Sequence, residues 1–162
     1  QRLENGNTLV ACADAQQIVE IAPDGTQSTT TIQGRPMCAQ RLENGNTLVA
    51  LQQQNRIVEM DRAGKIVWEA RTNNPPGHAT RLENGNTLVS MTYTRQVIEY
   101  DTTGKTTVWQ SKIPLTNPYC AERLPNGNTL VADHQGLHEL DAAGQKVIWT
   151  HRQPGITGLS TY

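Results

Sequence analysis

Apolar residues fall along this chain in short runs of two or three, and each run is bounded by polar, turn-forming residues. Thr87–Val89 and Val97–Ile98 are typical runs. Short runs rich in β-branched residues and flanked by Asn, Asp and Gly are typical of β-strands. No stretch shows apolar residues at the spacing of an amphipathic helix, so we predict an all-β protein.

The pattern of runs and turns repeats four times, about every 40 residues. The segment Arg-Leu-Glu-Asn-Gly-Asn-Thr-Leu-Val starts at Arg2, Arg41 and Arg81, and it returns at Arg123 with Pro125 in place of the glutamate. A fixed period of this length indicates a solenoid, a propeller or an array of small modules. The repeat is therefore the strongest signal for the fold.

The third repeat shows the predicted order of elements. Four strands are predicted, at His78–Leu82, Thr87–Met91, Gln96–Tyr100 and Lys105–Trp109. Between the first two, Asn84-Gly85 supplies the positive φ angles of a tight hairpin turn. Fourth strands end in tryptophan at Trp68, Trp109 and Trp149, which we expect in the core between blades, whereas the first repeat has no tryptophan.

Adjacent apolar residues within one strand indicate that both faces of each sheet are covered. Four-stranded antiparallel sheets that repeat every 40 residues and pack face to face make a β-propeller, whereas the coils of a β-solenoid are shorter. We therefore predict a β-propeller of four four-stranded antiparallel blades. It forms a single domain over 1–162, with repeats at approximately 1–35, 36–75, 76–117 and 118–153, and with 154–162 completing the first blade.

The two ends of the chain bear on how the ring closes. The chain starts in the middle of a repeat, and Pro154–Tyr162 resembles the start of another unit. Strand exchange between the termini would close a four-bladed ring, and head-to-tail closure of two chains would also remove the open edge. We prefer closure by strand exchange, while a homodimer that completes a larger ring stays open.

Composition narrows the range of partners. The formal net charge is −1 without blocks of like charge, so a nucleic-acid partner has no electrostatic support. No apolar run is long enough to insert into a membrane, and Phe is absent with hydrophobic residues at 36%, which indicates a core divided into thin layers. We expect an unknown small molecule or protein as partner.

The repeat as a whole resembles known propeller repeats. It can be written Pro-x-x-(Cys/His)-Ala-x-Arg-Leu-x-Asn-Gly-Asn-Thr-Leu-Val-Ala, followed by Ile-Val-Glu-x-Asp-x-x-Gly-Lys-x-x-Trp. This unit is similar to the repeats of bacterial quinoprotein-like and arylsulfotransferase-like propellers, and more distantly to those of the NHL family. The resemblance implies a scaffold or binding platform in an extracytoplasmic location.

The resemblance also implies two kinds of chemistry. Arylsulfotransferase-like enzymes imply a catalytic histidine and channel arginines, to which His78 and the repeated arginines would correspond. Quinone-dependent propellers imply calcium ligands and a longer chain, and no cluster in this sequence matches those ligands.

Cys38, His78 and Cys120 occupy one equivalent position near the start of three first strands. Rotational symmetry would bring them around the central channel, and two thiolates with one imidazole are good ligands for zinc or copper. The structural alternative is a position that accepts any small side chain packed between blades. No other cofactor is predicted.

The repeated arginines, Arg2, Arg41, Arg81 and Arg123, are candidate ligand-binding residues. A ring of guanidinium groups at one channel mouth would hold a carboxylate, phosphate or sulfate. The structural alternative pairs each arginine with a turn glutamate or a turn carbonyl. The glutamates in the third strands, Glu20, Glu59, Glu99 and Glu139, are expected to pair with arginine or lysine.

Three residues of the fourth repeat break the repeat symmetry and so indicate a local binding site there. They are Asp133, His134 and His138. The variable segments between second and third strands are expected to share one face, where binding specificity would lie.

Three hypotheses about function follow. They are a binding or scaffold propeller, a small enzyme or enzyme fragment of the arylsulfotransferase-like or quinoprotein-like group, and an amplified repeat without a dedicated site. Of the first two, we prefer the binding role over the enzyme.

Overall fold

The computed structural model describes residues 1–153, and it confirms the predicted all-β class. Fifteen strands form one three-stranded and three four-stranded antiparallel sheets in this part of the chain. Four such sheets are the blades of a β-propeller fold. A single 3-10 turn, Gln52–Gln54, is the one helical segment among the described residues. The predicted closure through Pro154–Tyr162 lies outside them.

Contacts divide the chain into two compact units, which we call unit 1 (Gln1–Ala79) and unit 2 (from Thr80 onward). Each unit contains two sheets that follow one another along the chain. All strands of one sheet come from one repeat of the sequence. The boundary falls within the strand His78–Arg81.

Unit 1 begins with the three-stranded sheet. Its strands, in order across the sheet, are β1 (Thr8–Cys12), β2 (Gln17–Ile21) and β3 (Gln27–Thr31). The second sheet runs in the order β4 (Pro36–Arg41), β5 (Thr47–Leu51), β6 (Arg56–Met60) and β7 (Ile66–Arg71). Arg2 forms an isolated bridge to Thr8, which marks the place of a first strand in the first repeat.

Unit 2 contains the other two sheets. One consists of β8 (His78–Arg81), β9 (Thr87–Met91), β10 (Gln96–Tyr100) and β11 (Thr107–Gln110). The other consists of β12 (Cys120–Arg123), β13 (Thr129–Asp133), β14 (Gly136–Leu140) and β15 (Val147–Arg152).

The cores lie between the sheets of each unit, as adjacent apolar residues predict. β5 and β9 are buried at all five of their positions, so both faces of these strands are covered. The core of unit 1 is formed by Leu9, Ile18, Ile32, Val49, Leu51, Val58 and Met60. The core of unit 2 is formed by Leu88, Val97, Leu115, Ala121, Val131 and Leu140.

The Asn-Gly hairpins differ from the prediction in one respect. Gly45 has φ +84°, but Asn44 before it stays at negative φ, so only the glycine is left-handed. The Asn44 side chain instead accepts a hydrogen bond from the backbone N–H of Asn46 at 2.9 Å. Glycine alone supplies the left-handed residue of a hairpin loop longer than two residues.

The fourth strand of the third repeat starts later than predicted. It runs from Thr107 to Gln110 rather than from Lys105 to Trp109. The reason is Asp101, whose Oδ1 accepts hydrogen bonds from the backbone N–H groups of Lys105 (3.2 Å) and Thr106 (3.3 Å). These bonds hold both residues in the turn.

Candidate functional site

In unit 1 an arginine joins the two sheets. Arg41 at the end of β4 donates from Nη2 to Oε2 of Glu20 on β2 at 2.6 Å, and from Nη1 to the carbonyl of Gly45 at 2.9 Å. Glu20 also accepts a hydrogen bond from Asn7 at 2.7 Å. This bond, together with the charge of Arg41, holds the pKa of Glu20 below its ordinary value.

Unit 2 contains the equivalent contact. Arg123 at the end of β12 donates from Nη2 to Oε2 of Glu99 on β10 at 2.6 Å. Its guanidinium also lies over the ring of Trp109, 4.5 Å from the centroid. The indole Nε1 of Trp109 donates to the carbonyl of Ala142 at 2.8 Å, so the ring bridges the two sheets. These contacts form a cation–π stack over the ion pair.

The register shows which residue takes the place of the tryptophan in unit 1. Trp109 lies opposite Glu99 in the β10–β11 pair, and Ser28 lies opposite Glu20 in the β2–β3 pair. Ser28 is therefore the counterpart of Trp109. The indole is missing above Arg41, and Ser28 is exposed to solvent.

The space beside Ser28 is part of a large cleft within unit 1, which we call the unit 1 cleft. It has a volume of about 900 Å³, and Ser28, Thr30, Arg41 and Arg62 are among its lining residues. A Cβ added at Gly144 in unit 2 would lie 2.7 Å from the Trp109 ring, whereas one added at the equivalent Gly64 has only a methyl group of Thr30 nearby, at 3.6 Å. The unit 1 cleft thus includes the position that is equivalent to that of the Trp109 ring in unit 2.

The charges around the unit 1 cleft are mixed. Arg2, Arg41 and Arg62 line it together with Glu4, Glu20, Glu43 and Asp61. Arg41 is paired with Glu20, while Arg2 donates to the hydroxyl of Thr8 at 2.9 Å. A cleft with this balance does not select an anion by charge alone. It instead offers a flat guanidinium face among polar groups.

Three of the four repeated arginines have a structural partner in common. Arg41, Arg81 and Arg123 each donate to a glycine carbonyl of their own hairpin, at 2.9, 3.0 and 3.2 Å. Arg41 and Arg123 pair with third-strand glutamates rather than with the turn glutamates that we considered. Their role in ligand binding stays a prediction, and within unit 1 it concerns Arg2 and Arg41.

The predicted metal ligands are divided between the units. Cys38 and His78 belong to unit 1 and Cys120 to unit 2. The backbone N–H of Ala79 donates to the Cys38 sulfur at 3.2 Å, and burial raises the pKa of this thiol. Burial also lowers the pKa of His78 to about 4, so its ring is neutral at pH 7. Among residues 1–153 no group of three or more His, Cys, Asp or Glu side chains is placed to hold a metal ion, and the predicted metal site stays a prediction.

Asp133 contacts His138 rather than its neighbour His134. Oδ1 of Asp133, which is 2% exposed, lies 3.0 Å from Nε2 of His138, and Nδ1 of His138 lies 3.2 Å from the hydroxyl of Thr150. His134 lies at the surface with its Nδ1 3.4 Å from the hydroxyl of Tyr119. The structure thus joins Asp133, His138 and Thr150 in one hydrogen-bonded chain.

Sequence reasoning did not single out Ser28 as a site residue. The signal was present, because the first repeat has no tryptophan in its fourth strand. Its meaning depends on the register that places Ser28 opposite Glu20.

The family is shown by a match over two thirds of the sequence. Residues 53–161 match the model of the PQQ_2 family, described as outer membrane protein assembly factor BamB. The chain belongs to this family. Membership in the BamB family confirms the predicted quinoprotein-like propeller repeat. No curated protein is significantly similar to the chain.

Solved structures confirm the fold. A protein of unknown function from Bacteroides caccae matches with a TM-score of 0.75 and 21% identity, over 94% of this chain and 65% of that one. Virginiamycin B lyase from Staphylococcus aureus, solved as an inactive variant with quinupristin, matches with a TM-score of 0.75 and 15% identity, over 97% and 56%. The WD40 β-propeller domain of Doa1 matches with a TM-score of 0.71 and 12% identity, over 92% and 51%.

These likenesses concern the fold alone. Identities of 12–21% do not transfer an activity, and the chain spans between about half and two thirds of the length of these structures. The match to the BamB family therefore carries more weight for function than any single structure.

Within the described residues, no helix combines the length and the apolar character needed to cross a membrane.

Proposed function

We propose that this chain is an extracytoplasmic binding module, and that the unit 1 cleft accepts an aromatic side chain from a polypeptide partner. The observation that carries the proposal is Ser28. It takes the place that Trp109 has in unit 2, so none of the described residues gives Arg41 the aromatic cover that Arg123 has.

The contacts of Trp109 indicate what an incoming ring would find. In unit 2 the indole stacks on Arg123 and donates to Ala142. In unit 1 the stacking partner is Arg41, and the turn residue equivalent to Ala142 is Arg62, which lines the cleft. A volume of about 900 Å³ is ample for one ring. An indole or phenol would gain a cation–π contact and one hydrogen bond there.

The family description favours a polypeptide as the source of this ring. Outer membrane protein assembly concerns polypeptides outside the cytoplasm. The strands of outer-membrane barrels carry girdles of aromatic residues. A polar cleft with space for one aromatic side chain fits such a partner, and binding of one residue type gives contact without a fixed sequence.

The test is calorimetric titration of the full chain with two blocked tripeptides, acetyl-Gly-Trp-Gly-amide and acetyl-Gly-Leu-Gly-amide. We expect weak binding of the tryptophan peptide, with Kd of about 1 mM or somewhat below, and at least about tenfold weaker binding of the leucine peptide. Equal affinity for the two peptides would contradict the proposal.

Two variants locate the binding. Ser28→Trp places an indole of the chain itself over Arg41 and should abolish binding of the tryptophan peptide. Thr29→Trp is the matched control, because alternation along β3 points residue 29 to the other face and it does not line the cleft. If Ser28→Trp folds but binds as the parent does, the cleft is not the site, and the hypothesis of an amplified repeat without a dedicated site gains support.

A further inference from the structure

Each third-strand glutamate of the ion pairs described above uses its two oxygens for two partners. Oε1 of Glu20 accepts from Asn7 and Oε2 from Arg41. Oε1 of Glu99 accepts from Asn86 at 2.6 Å and Oε2 from Arg123. The arginine comes from the next repeat in both cases. This arrangement joins one sheet to the sheet that follows it.

Glu139 on β14 has only half of this arrangement. Its Oε1 accepts hydrogen bonds from Asn128 at 2.7 Å and Asn126 at 3.3 Å, as in the other repeats. Its Oε2 has no arginine or other donor among residues 80–153, the described part of its own unit. The carboxylate is thus oriented by two amides with one oxygen left to accept.

The tryptophan of the same sheet stacks on His151 at the surface, with the ring centroids 6.2 Å apart, and contacts no arginine in the described part of its unit. Trp149 lies opposite Glu139 in the β14–β15 pair and is 49% exposed. It corresponds to Trp109, which covers Arg123. All six residues of β15 are exposed, including Val147 and Ile148. This differs from the expectation that Trp149 lies in the core. Glu139 and Trp149 therefore present the acceptor and the stacking ring for an arginine.

Arg2 in unit 1 is an arginine that fits this acceptor and ring. Arg2 forms a bridge to Thr8, the register that Arg123 has with Thr129 in β12–β13. Arg2 is exposed, and it has no carboxylate partner among the residues of its own unit. It lacks both the glutamate and the indole that Arg123 contacts.

We infer that Glu139 and Trp149 form a docking site for Arg2 of a second copy of this chain. Oε2 of Glu139 accepts from the guanidinium, and Trp149 covers its face, which repeats the Glu99–Arg123–Trp109 contact across an interface. Charge complementarity selects this occupant.

The contact joins different surfaces of the two copies. Made twice about a two-fold axis it closes an isologous dimer, and a rotation that does not close gives longer head-to-tail assemblies. The inference does not rest on binding at the unit 1 cleft, because Ser28 takes no part in it.

The test is the mass of the full chain in solution, measured by light scattering and by sedimentation over a range of concentrations. We expect twice the 17.9 kDa chain mass, or a higher multiple, with dissociation on dilution. Arg2→Glu and Glu139→Arg should each raise the dissociation constant at least about tenfold. The double variant with both changes should restore association, because it reverses the pair. Glu83→Arg is the matched control, since it makes the same charge change at an exposed turn of unit 2.

The outcomes separate the occupants. A monomer at every concentration overturns the inference. Association that persists in both single variants overturns it as well. Folding of each variant is checked by circular dichroism. Loss of association in the single variants, recovery in the double variant and no effect of Glu83→Arg support the inference.

Discussion

Unit 1 and unit 2 both join neighbouring sheets through an arginine–glutamate pair, but only unit 2 covers the pair with an indole ring. The side chains of Arg123 and Glu99 are 18% and 8% exposed, whereas those of Arg41 and Glu20 are 25% and 22% exposed. The ion pair that the indole covers is thus the less exposed of the two. Burial raises the cost of leaving a charge unpaired, and solvent access leaves room for a ligand.

The largest expected difference between the two units comes from removing the glutamate of each pair. Glu99→Gln leaves Arg123 without its carboxylate beneath Trp109, and we expect a loss of about 3 kcal/mol in the free energy of unfolding. Glu20→Gln should cost about 1 kcal/mol, because water reaches Arg41. Urea denaturation followed by circular dichroism measures both. Equal losses would show that the indole does not set the energetic difference.

Acid should destabilise the protein through His78 of unit 1, at a repeat position that is a cysteine at Cys38 and Cys120. Burial lowers the pKa of His78 to about 4, so between about pH 6.5 and 4 the unfolded chain binds a proton that the folded chain does not. Stability is full above pH 6.5 and falls by about 2–3 kcal/mol as the pH decreases to 4.

Denaturation at several pH values measures this effect, with His78→Gln as the variant that lacks the titrating group. The variant should show a shallower fall between pH 6.5 and 4. An unchanged pH profile in His78→Gln would assign the acid sensitivity to other groups.

The smallest expected difference concerns two equivalent turn glycines. Gly64 and Gly144 have φ +81° and +69°, so alanine is strained at both. At Gly144 the added Cβ also meets the Trp109 ring at 2.7 Å, whereas at Gly64 it meets only a methyl group at 3.6 Å. Gly144→Ala should therefore cost about 1–2 kcal/mol more than Gly64→Ala. Thermal unfolding of the two variants tests this, and equal costs would indicate that the indole moves aside readily.

The strand pattern and the turn chemistry followed from local sequence. Runs of β-branched and apolar residues predicted Thr87–Met91 and Gln96–Tyr100 with the bounds that the structure has. The period of about 40 residues predicted four repeated sheets. These features depend on residues close together in the chain, so periodicity alone reveals them.

The partners of the polar residues depended on the tertiary structure. The repeat pattern listed both turn and strand glutamates as partners for Arg41, and packing of one sheet on the next selected Glu20. Pairing of β13 with β14 placed Asp133 on His138 rather than on His134. Contacts of this kind join residues far apart in sequence, and their geometry follows from register and packing.

The sequence by itself determined that this protein consists of four β-sheet repeats with a tryptophan missing from the first. Only the tertiary structure decided that the missing ring opens a cleft above Arg41, and that Trp149 is exposed beside Glu139. The physical reason is that a strand's own residues determine its alternation, whereas the sheet packed against it determines which side chains are covered.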